Sequence, residues 1–136
     1  MNVLKENNWI SVSYDASNKH LRATWKPESA DMPEDDFRAI NSFYVTCFQH
    51  HTITSFLIDS REFNFPISPE AQTWVGEEII PAVINLGLSR LAFMMSKEFI
   101  AQLSIEQTME EGGNVPFQIK YFSDLDEAQA WCFAAK

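Results

Sequence analysis

The stretch from Thr52 to Met95 confines this chain to few architectures, because it reads as strand, turn, long helix, strand. TITSFLID is a short β-rich run in which Ile53, Phe56, Leu57 and Ile58 supply apolar bulk. It stops at Asp59-Ser60-Arg61-Glu62, which is too polar to continue a buried strand. The linker FNFPI leads to Ser68-Pro69-Glu70, a helix start. There the serine hydroxyl can cap a free backbone N–H, and proline at the first helical position sacrifices no hydrogen bond. Trp74, Val75, Ile79, Val83 and Leu86 then share one broad face, and Gly87 ends the helix. LAFMM follows as a second apolar strand. Two buried strands joined by a helix of this length predict a parallel pair with a right-handed crossover.

The flanking segments build outward from that unit. WISVSY, from Trp9 to Tyr14, alternates apolar and polar residues; Asp15-Ala16-Ser17-Asn18 is turn chemistry; LRATW, from Leu21 to Trp25, alternates again. This predicts an antiparallel β-hairpin ended by Lys26-Pro27. The next segment gathers Glu28, Asp31, Glu34, Asp35 and Asp36. Asp31 and Glu34 have capping-box spacing around Pro33, so a helix start is favoured over a metal site or acidic docking patch. That helix runs to about His50, with Phe37, Ile40, Tyr44, Cys47 and Phe48 on one face. Adjacent His50 and His51 point in different directions and suit a helix end better than a metal. Pro81 inside the second helix removes a backbone bond to Glu77, so a bend is expected.

A third helix, capped by Ser96 and spanning roughly Glu98 to Glu111, has a weaker face of Phe99 or Ile100, Leu103, Thr108 or Gln107, and Met109. Gly112-Gly113-Asn114 breaks it. FQIKYF, from Phe117 to Phe122, is the last strand. Ser123 with Asp126, or Asp124 with Glu127, starts a last helix with a stripe of Leu125, Ala128, Trp131, Cys132 and Ala135. Residues 1–136 therefore read as one α/β domain of order ββαβαβαβα, a five-stranded mixed sheet flanked by helices.

Charge and motif content narrow the function classes. A formal net charge of −9 argues against nucleic acid and anionic membrane surfaces, which need a basic footprint. The longest nearly apolar run, IIPAVINLGL, is too short to span a bilayer, so no membrane insertion is expected. MNVLKENNW lacks the apolar core of a signal peptide, and Cys47 and Cys132 read as isolated, reduced, buried thiols. Together these features lead to the expectation of a cytoplasmic protein. No G-x-S-x-G elbow, P-loop or G-x-G-x-x-G occurs in the sequence. The expectation is a non-catalytic protein with no cofactor and no metal.

The cues WISVSYDASNKHLRATW, FLIDSREF, EEIIPAVINLGLSRLAFM and IKYFSDLDEAQAWC, in this order, cover most of the chain. Their arrangement resembles the STAS fold of sulfate-transporter cytoplasmic domains and bacterial anti-sigma-factor antagonists. It is closer still to the bacterial STAS-like proteins grouped with SEC14-type lipid-binding modules. Phosphorylatable antagonists carry Asp-Ser-Ser-Gly in the loop after the central strand. Here Pro66-Ile67-Ser68-Pro69 occupies that place, with Ser68 where the modified serine would lie and the flanking acid, second serine and glycine missing. For Ser68, helix capping is favoured over phosphorylation.

Two binding roles follow. In the first, the chain is a regulatory or protein-interaction module, for a protein partner or a second copy of itself. Its contact surface is Asp59, Ser60, Phe63, Phe65, Ile67 and Ser68, at the carboxyl end of an interior parallel strand. The alternative for Phe63, Phe65 and Ile67 is that they fold back as core plugs. In the second, which the SEC14-type resemblance implies, the aromatic-rich interior holds a small apolar or lipid-like ligand, against the alternative of an ordinary close-packed core.

Overall fold

The computed structural model describes residues 1–134, so Ala135, expected on the last helical stripe, lies outside the described residues. The strands are β1 (Asn2–Glu6), β2 (Ile10–Asp15), β3 (His20–Trp25), β4 (Ser55–Asp59), β5 (Arg90–Met94) and β6 (Gln118–Phe122). They form one six-stranded mixed sheet in plain chain order, β1 to β6. The first two pairings are antiparallel and the last three parallel.

The expected hairpin is present in register, with Ile10 opposite Trp25 and Asp15 opposite His20. The strand count needs correcting from five to six, because Asn2–Glu6 pairs with β2. That edge strand buries no residue completely, and so it carries little alternation to read.

Four helices accompany the sheet: α1 (Glu34–His50); α2, formed by Pro69–Trp74, a π-helical turn Val75–Ile79, and Ile80–Val83; α3 (Phe99–Glu111); and α4 (Leu125–Phe133). Each parallel strand is added on the same side of the one before it. Crossovers of one hand that always step the same way put their helices on one face. The main core accordingly combines Leu21, Ala23, Phe56, Ile58, Leu91 and Phe93 of the sheet with residues of α1, α2 and α3. The opposite face carries a smaller core, where Leu57, Ala92, Met94 and Phe122 meet Ala128 and Cys132 of α4. The two free, buried cysteines thus sit on helices packed on opposite faces.

Local chemistry explains the helix boundaries. Ser68 caps α2 as expected, its hydroxyl accepting from Ala71 N at 3.1 Å with Pro69 in the first turn. Asp124 rather than Ser123 caps α4, accepting from Glu127 N at 3.2 Å. The capping box at α1 is not formed: Pro33 is the N-cap, and Asp31 belongs to the preceding 3-10 turn, Pro27–Asp31.

The disturbance expected from Pro81 appears as the π-helical turn, in which Ile80 N reaches back to Val75 O. Proline has no N–H for Glu77 and its ring crowds that carbonyl, and widening the turn ahead of it relieves both. Gly76 lies in this turn, where an added Cβ would stand 2.7 Å from Glu111 Cβ. The missing side chain is what allows α2 and α3 to approach so closely. Leu86, expected on the buried face of α2, is exposed, because the helix ends at Val83 before the turn to Gly87 at φ +100°. Among the described residues, no helix is long and apolar enough to cross a membrane.

Candidate functional site

The carboxyl end of β4 is where the sequence places its contact surface. Asp59 is 7% exposed and held by Arg61, whose Nε donates to Oδ1 at 3.0 Å and whose Nη2 donates to Oδ2 at 2.7 Å. This bidentate pair turns the chain out of the strand, and the hydrogen bond to Asp59 raises the Arg61 pKa above its usual value. Ser60 is fully buried; its N–H donates to Met94 O at 3.2 Å and its carbonyl accepts from Phe63 N at 3.0 Å. Among the described residues its hydroxyl has no hydrogen-bond partner.

The following loop faces inward. Phe63 is 1% exposed, with its ring centroid 4.7 Å from Trp25, and Ile67 is 7% exposed. Phe65 is half-buried and stacks on Phe37 at 5.2 Å. The loop backbone is held on both sides. Asn64 N donates to Ser29 Oγ at 3.1 Å, and Ile67 N donates to Ser104 Oγ at 3.0 Å. Each large apolar side chain gains about 1.5–3 kcal/mol on full burial, which outweighs exposing it for contact. The expected surface of Phe63, Phe65 and Ile67 is therefore corrected: Phe63 and Ile67 are core plugs and Phe65 covers the core edge. Ser68 is also engaged, donating to Glu34 Oε1 at 2.6 Å while it caps α2. Nor does the parallel part of the sheet reverse its strand order anywhere, so it lacks the switch-point crevice that such sheets use for ligands.

A group of exposed apolar side chains lies next door, on α3. Phe99 is 73% exposed, Ile100 52%, Leu103 42%, and Met95, just after β5, 39%. The buried side of α3 is instead Ala101, Gln102, Ser104, Ile105 and Thr108. Of the expected face, Thr108 is buried and Met109 half-buried against the core, but Phe99, Ile100 and Leu103 are exposed, and the hydrogen bonds explain why. Ser104 Oγ donates to Ala101 O at 2.8 Å while accepting from Ile67 N, and Thr108 Oγ1 donates to Ser104 O at 2.7 Å. Gln102 Oε1 accepts from Ser96 N at 2.8 Å, and Ser96 Oγ donates to Phe63 O at 2.7 Å. The buried side of α3 carries polar groups beside Ala101 and Ile105, and of these Ser104 satisfies the backbone of the inward-folded loop. Ser96 therefore ties the loop rather than serving as the helix N-cap, which is Glu98. A signal was present in the sequence: small residues at 101, 104 and 108 keep helical spacing and mark a close-packing side.

A second constellation escaped the sequence. On the α4 side of the sheet, His20 Nδ1 lies 2.8 Å from Ser55 Oγ, and Arg22 Nη2 lies 3.5 Å from His20 Nε2. A guanidinium only donates, so Nε2 is the acceptor and Nδ1–H donates to Ser55. Burial first, and then the Arg22 charge, pulls the His20 pKa down to about 4. A Ser–His contact is the start of nucleophile chemistry, but His20 and Ser55 are 0% and 1% exposed and the free nitrogen faces Arg22. The pair packs beneath α4, with Phe133 edge-on to His20 at 5.1 Å and Gln129 accepting from Arg22 at 2.8 Å. Burial raises the thiols of Cys47 and Cys132 to about 11 each, the wrong direction for a nucleophile. Among the described residues, no group of three His, Cys, Asp or Glu side chains is placed to hold a metal. His50 ends α1, and the ring of His51 packs on Tyr14 at 4.5 Å. Compared with protein-family models, with curated proteins and with solved structures, the chain matches none.

Proposed function

We propose that this chain is a non-catalytic, STAS-like regulatory module of the cytoplasm that works by binding a protein partner through the outer face of α3. The observation that carries the proposal is the exposure of Phe99, Ile100 and Leu103 on a helix whose buried side carries Gln102, Ser104 and Thr108 beside Ala101 and Ile105. Large apolar side chains grouped on a surface mark contact sites. The remaining exposed positions along α3 include Gln107, Glu110 and Glu111, and the whole chain carries a net charge of −9. A partner segment with an apolar stripe flanked by lysine or arginine complements this face. A second copy would bring acid against acid, and nucleic acid would meet the same repulsion. The STAS-like part is supported by the order of the sequence cues and by the strand–helix alternation from β4 onward. The cytoplasmic part is supported by the two free, buried thiols.

The test is titration of the full chain with two synthetic amphipathic helices that share one leucine stripe, one flanked by lysine and one by glutamate. Tight binding of the lysine peptide, at least tenfold weaker binding of the glutamate peptide, and loss of binding in Phe99→Ser/Leu103→Ser support the proposal. Equal binding of both peptides, no binding of either, binding that survives the double substitution, or self-association through this face detected by sedimentation would each overturn it.

A further inference from the structure

Between the sheet and α1–α3 lie two adjoining cavities of about 50 and 60 Å³. They share the walls Asn41, Tyr44, Ile58, Val75, Phe93 and Met109. We propose that they form one binding site for a small, neutral, largely apolar molecule with a single hydrogen-bonding end, which is received by the hydroxyls of Ser60 and Tyr44. The site is independent of the α3 surface and lies within the main core.

The two hydroxyls carry the inference. Ser60 lines the first cavity and Tyr44 lines both, and each has a buried side-chain oxygen without a hydrogen-bond partner among the described residues. Ser60 is 0% exposed and Tyr44 5%. A buried hydroxyl with no partner costs stability that phenylalanine or alanine would not, so two such groups at one void call for a partner the chain itself does not supply. The amide nitrogen of Asn41, which also lines both cavities, is already committed to Phe37 O at 3.0 Å.

Size and charge set the ligand class. A void near 150 Å³ lined by apolar side chains takes up benzene, and a single water needs only about 10–15 Å³. At about 50 and 60 Å³ the two voids fall short of that size even when joined, so a molecule of one small ring enters only as the half-buried Met109 side chain gives way, and an acyl lipid is far too large. No charged side chain lines either cavity, and burial holds the Tyr44 phenol neutral by raising its pKa far above the ordinary value. A charged ligand would meet nothing to pair with.

The walls also provide for entry. Met109 is the one lining residue of either cavity that is half-buried rather than buried. Its unbranched thioether can change rotamer where a branched side chain would not. Val75, another wall of both cavities, begins the π-helical turn, a departure from α geometry that recurs at functional sites.

Phenol and fluorobenzene, nearly equal in shape and different in hydrogen bonding, are the probes. Their binding to the full chain is measured by protein-observed NMR titration, with Ser60→Ala and Tyr44→Phe as variants. Neither lost hydroxyl makes a bond within the fold, so both variants are expected to melt at or above the temperature of the parent. The expected result is phenol binding at least tenfold tighter than fluorobenzene, with that preference reduced toward unity in each variant. Equal binding of the two probes would show a mere void. Absence of binding by either, with water NOEs to the Tyr44 side chain, would show a hydration site. A preference that survives both variants would remove the two hydroxyls from recognition. Any of these results overturns the proposal.

Discussion

The Ser68 hydroxyl donates to the Glu34 carboxylate at 2.6 Å while accepting from Ala71 N at 3.1 Å, so one side chain joins the start of α2 to the start of α1. The same bond is the largest cause of the lowered Glu34 pKa, ahead of Arg38. Ser68→Ala removes both the cap and the tie, and a loss of about 1–2 kcal/mol in urea unfolding is expected. Ser68→Asp keeps a capping oxygen but sets a second carboxylate against Glu34. It should therefore be less stable than the parent, and Glu34→Gln in the same chain should restore part of the loss. If Ser68→Asp were as stable as the parent, a negative charge at this position would be tolerated and phosphorylation of Ser68 would regain standing as a switch.

His20 makes stability depend on pH. Its folded pKa, about 4, lies below the ordinary value of 6.5, so between these limits the unfolded chain binds the extra proton. The contribution of neutral His20 is complete above about pH 6.5, shrinks as pH falls, and is exhausted below about pH 4. A shift of this size corresponds to on the order of 3 kcal/mol at most. The groups around the ring are Ser55, Arg22 and Asp15, with Phe133 from α4. Urea unfolding at pH 7.5 and pH 5 should show a smaller fall in stability for His20→Asn than for the parent. The comparison between the two chains separates His20 from the many carboxylates that also titrate. Identical pH slopes would show that His20 is solvated in the native state.

Two glycines should respond unequally to alanine. At Gly76, a new Cβ meets Glu111 Cβ at 2.7 Å and the Glu111 backbone at 2.9 Å, so α2 and α3 must separate, at a cost of about 1–3 kcal/mol. At Gly113 nothing lies within 4 Å, and only the positive φ of +65° is strained. That strain costs about 1–2 kcal/mol at most and leaves the helix contact untouched. Thermal melts with hydrogen exchange of α3 distinguish the two: Gly76→Ala should lower protection of α3, and Gly113→Ala should not.

What could be read in the sequence was local or strictly periodic. The hairpin from Ile10 to Trp25, the Ser68-Pro69 helix start and the face of α1 each follow from spacing along a short segment, and the parallel β4–β5 pair follows from the helix that joins its two strands. What could not be read depends on partners far along the chain. Ser55 meets His20 across 35 positions, and Ser104 serves Ile67 N across 37. The loop from Phe63 to Ile67 was open to two readings because its apolar residues fit either surface or core; the choice was made by Trp25 and Phe37, which no local pattern places beside it. Edge strand β1 was missed because, exposed along most of its length, it has no inside face to imprint on the sequence.

The inverted burial of α3 gives the last prediction, on two neighbouring residues. Leu103 is 42% exposed, while Ser104 is 5% exposed and holds Ile67 N. By hydropathy alone, Leu103→Ser should damage the fold and Ser104→Leu should improve it. The structure reverses both. Leu103→Ser removes a side chain that packs on little, and its effect should stay within about 0.5 kcal/mol, as for most surface changes. Ser104→Leu strands the buried Ile67 N–H and forces two extra heavy atoms between α3 and the loop. Each defect costs about 1–3 kcal/mol, so the variant should lose several kcal/mol or fail to fold. Urea unfolding of the two variants beside the parent measures the difference. A strongly destabilised Leu103→Ser with a stable Ser104→Leu would mean that α3 is rotated, with its apolar side inward. The partner surface on Phe99, Ile100 and Leu103 would then be withdrawn along with it.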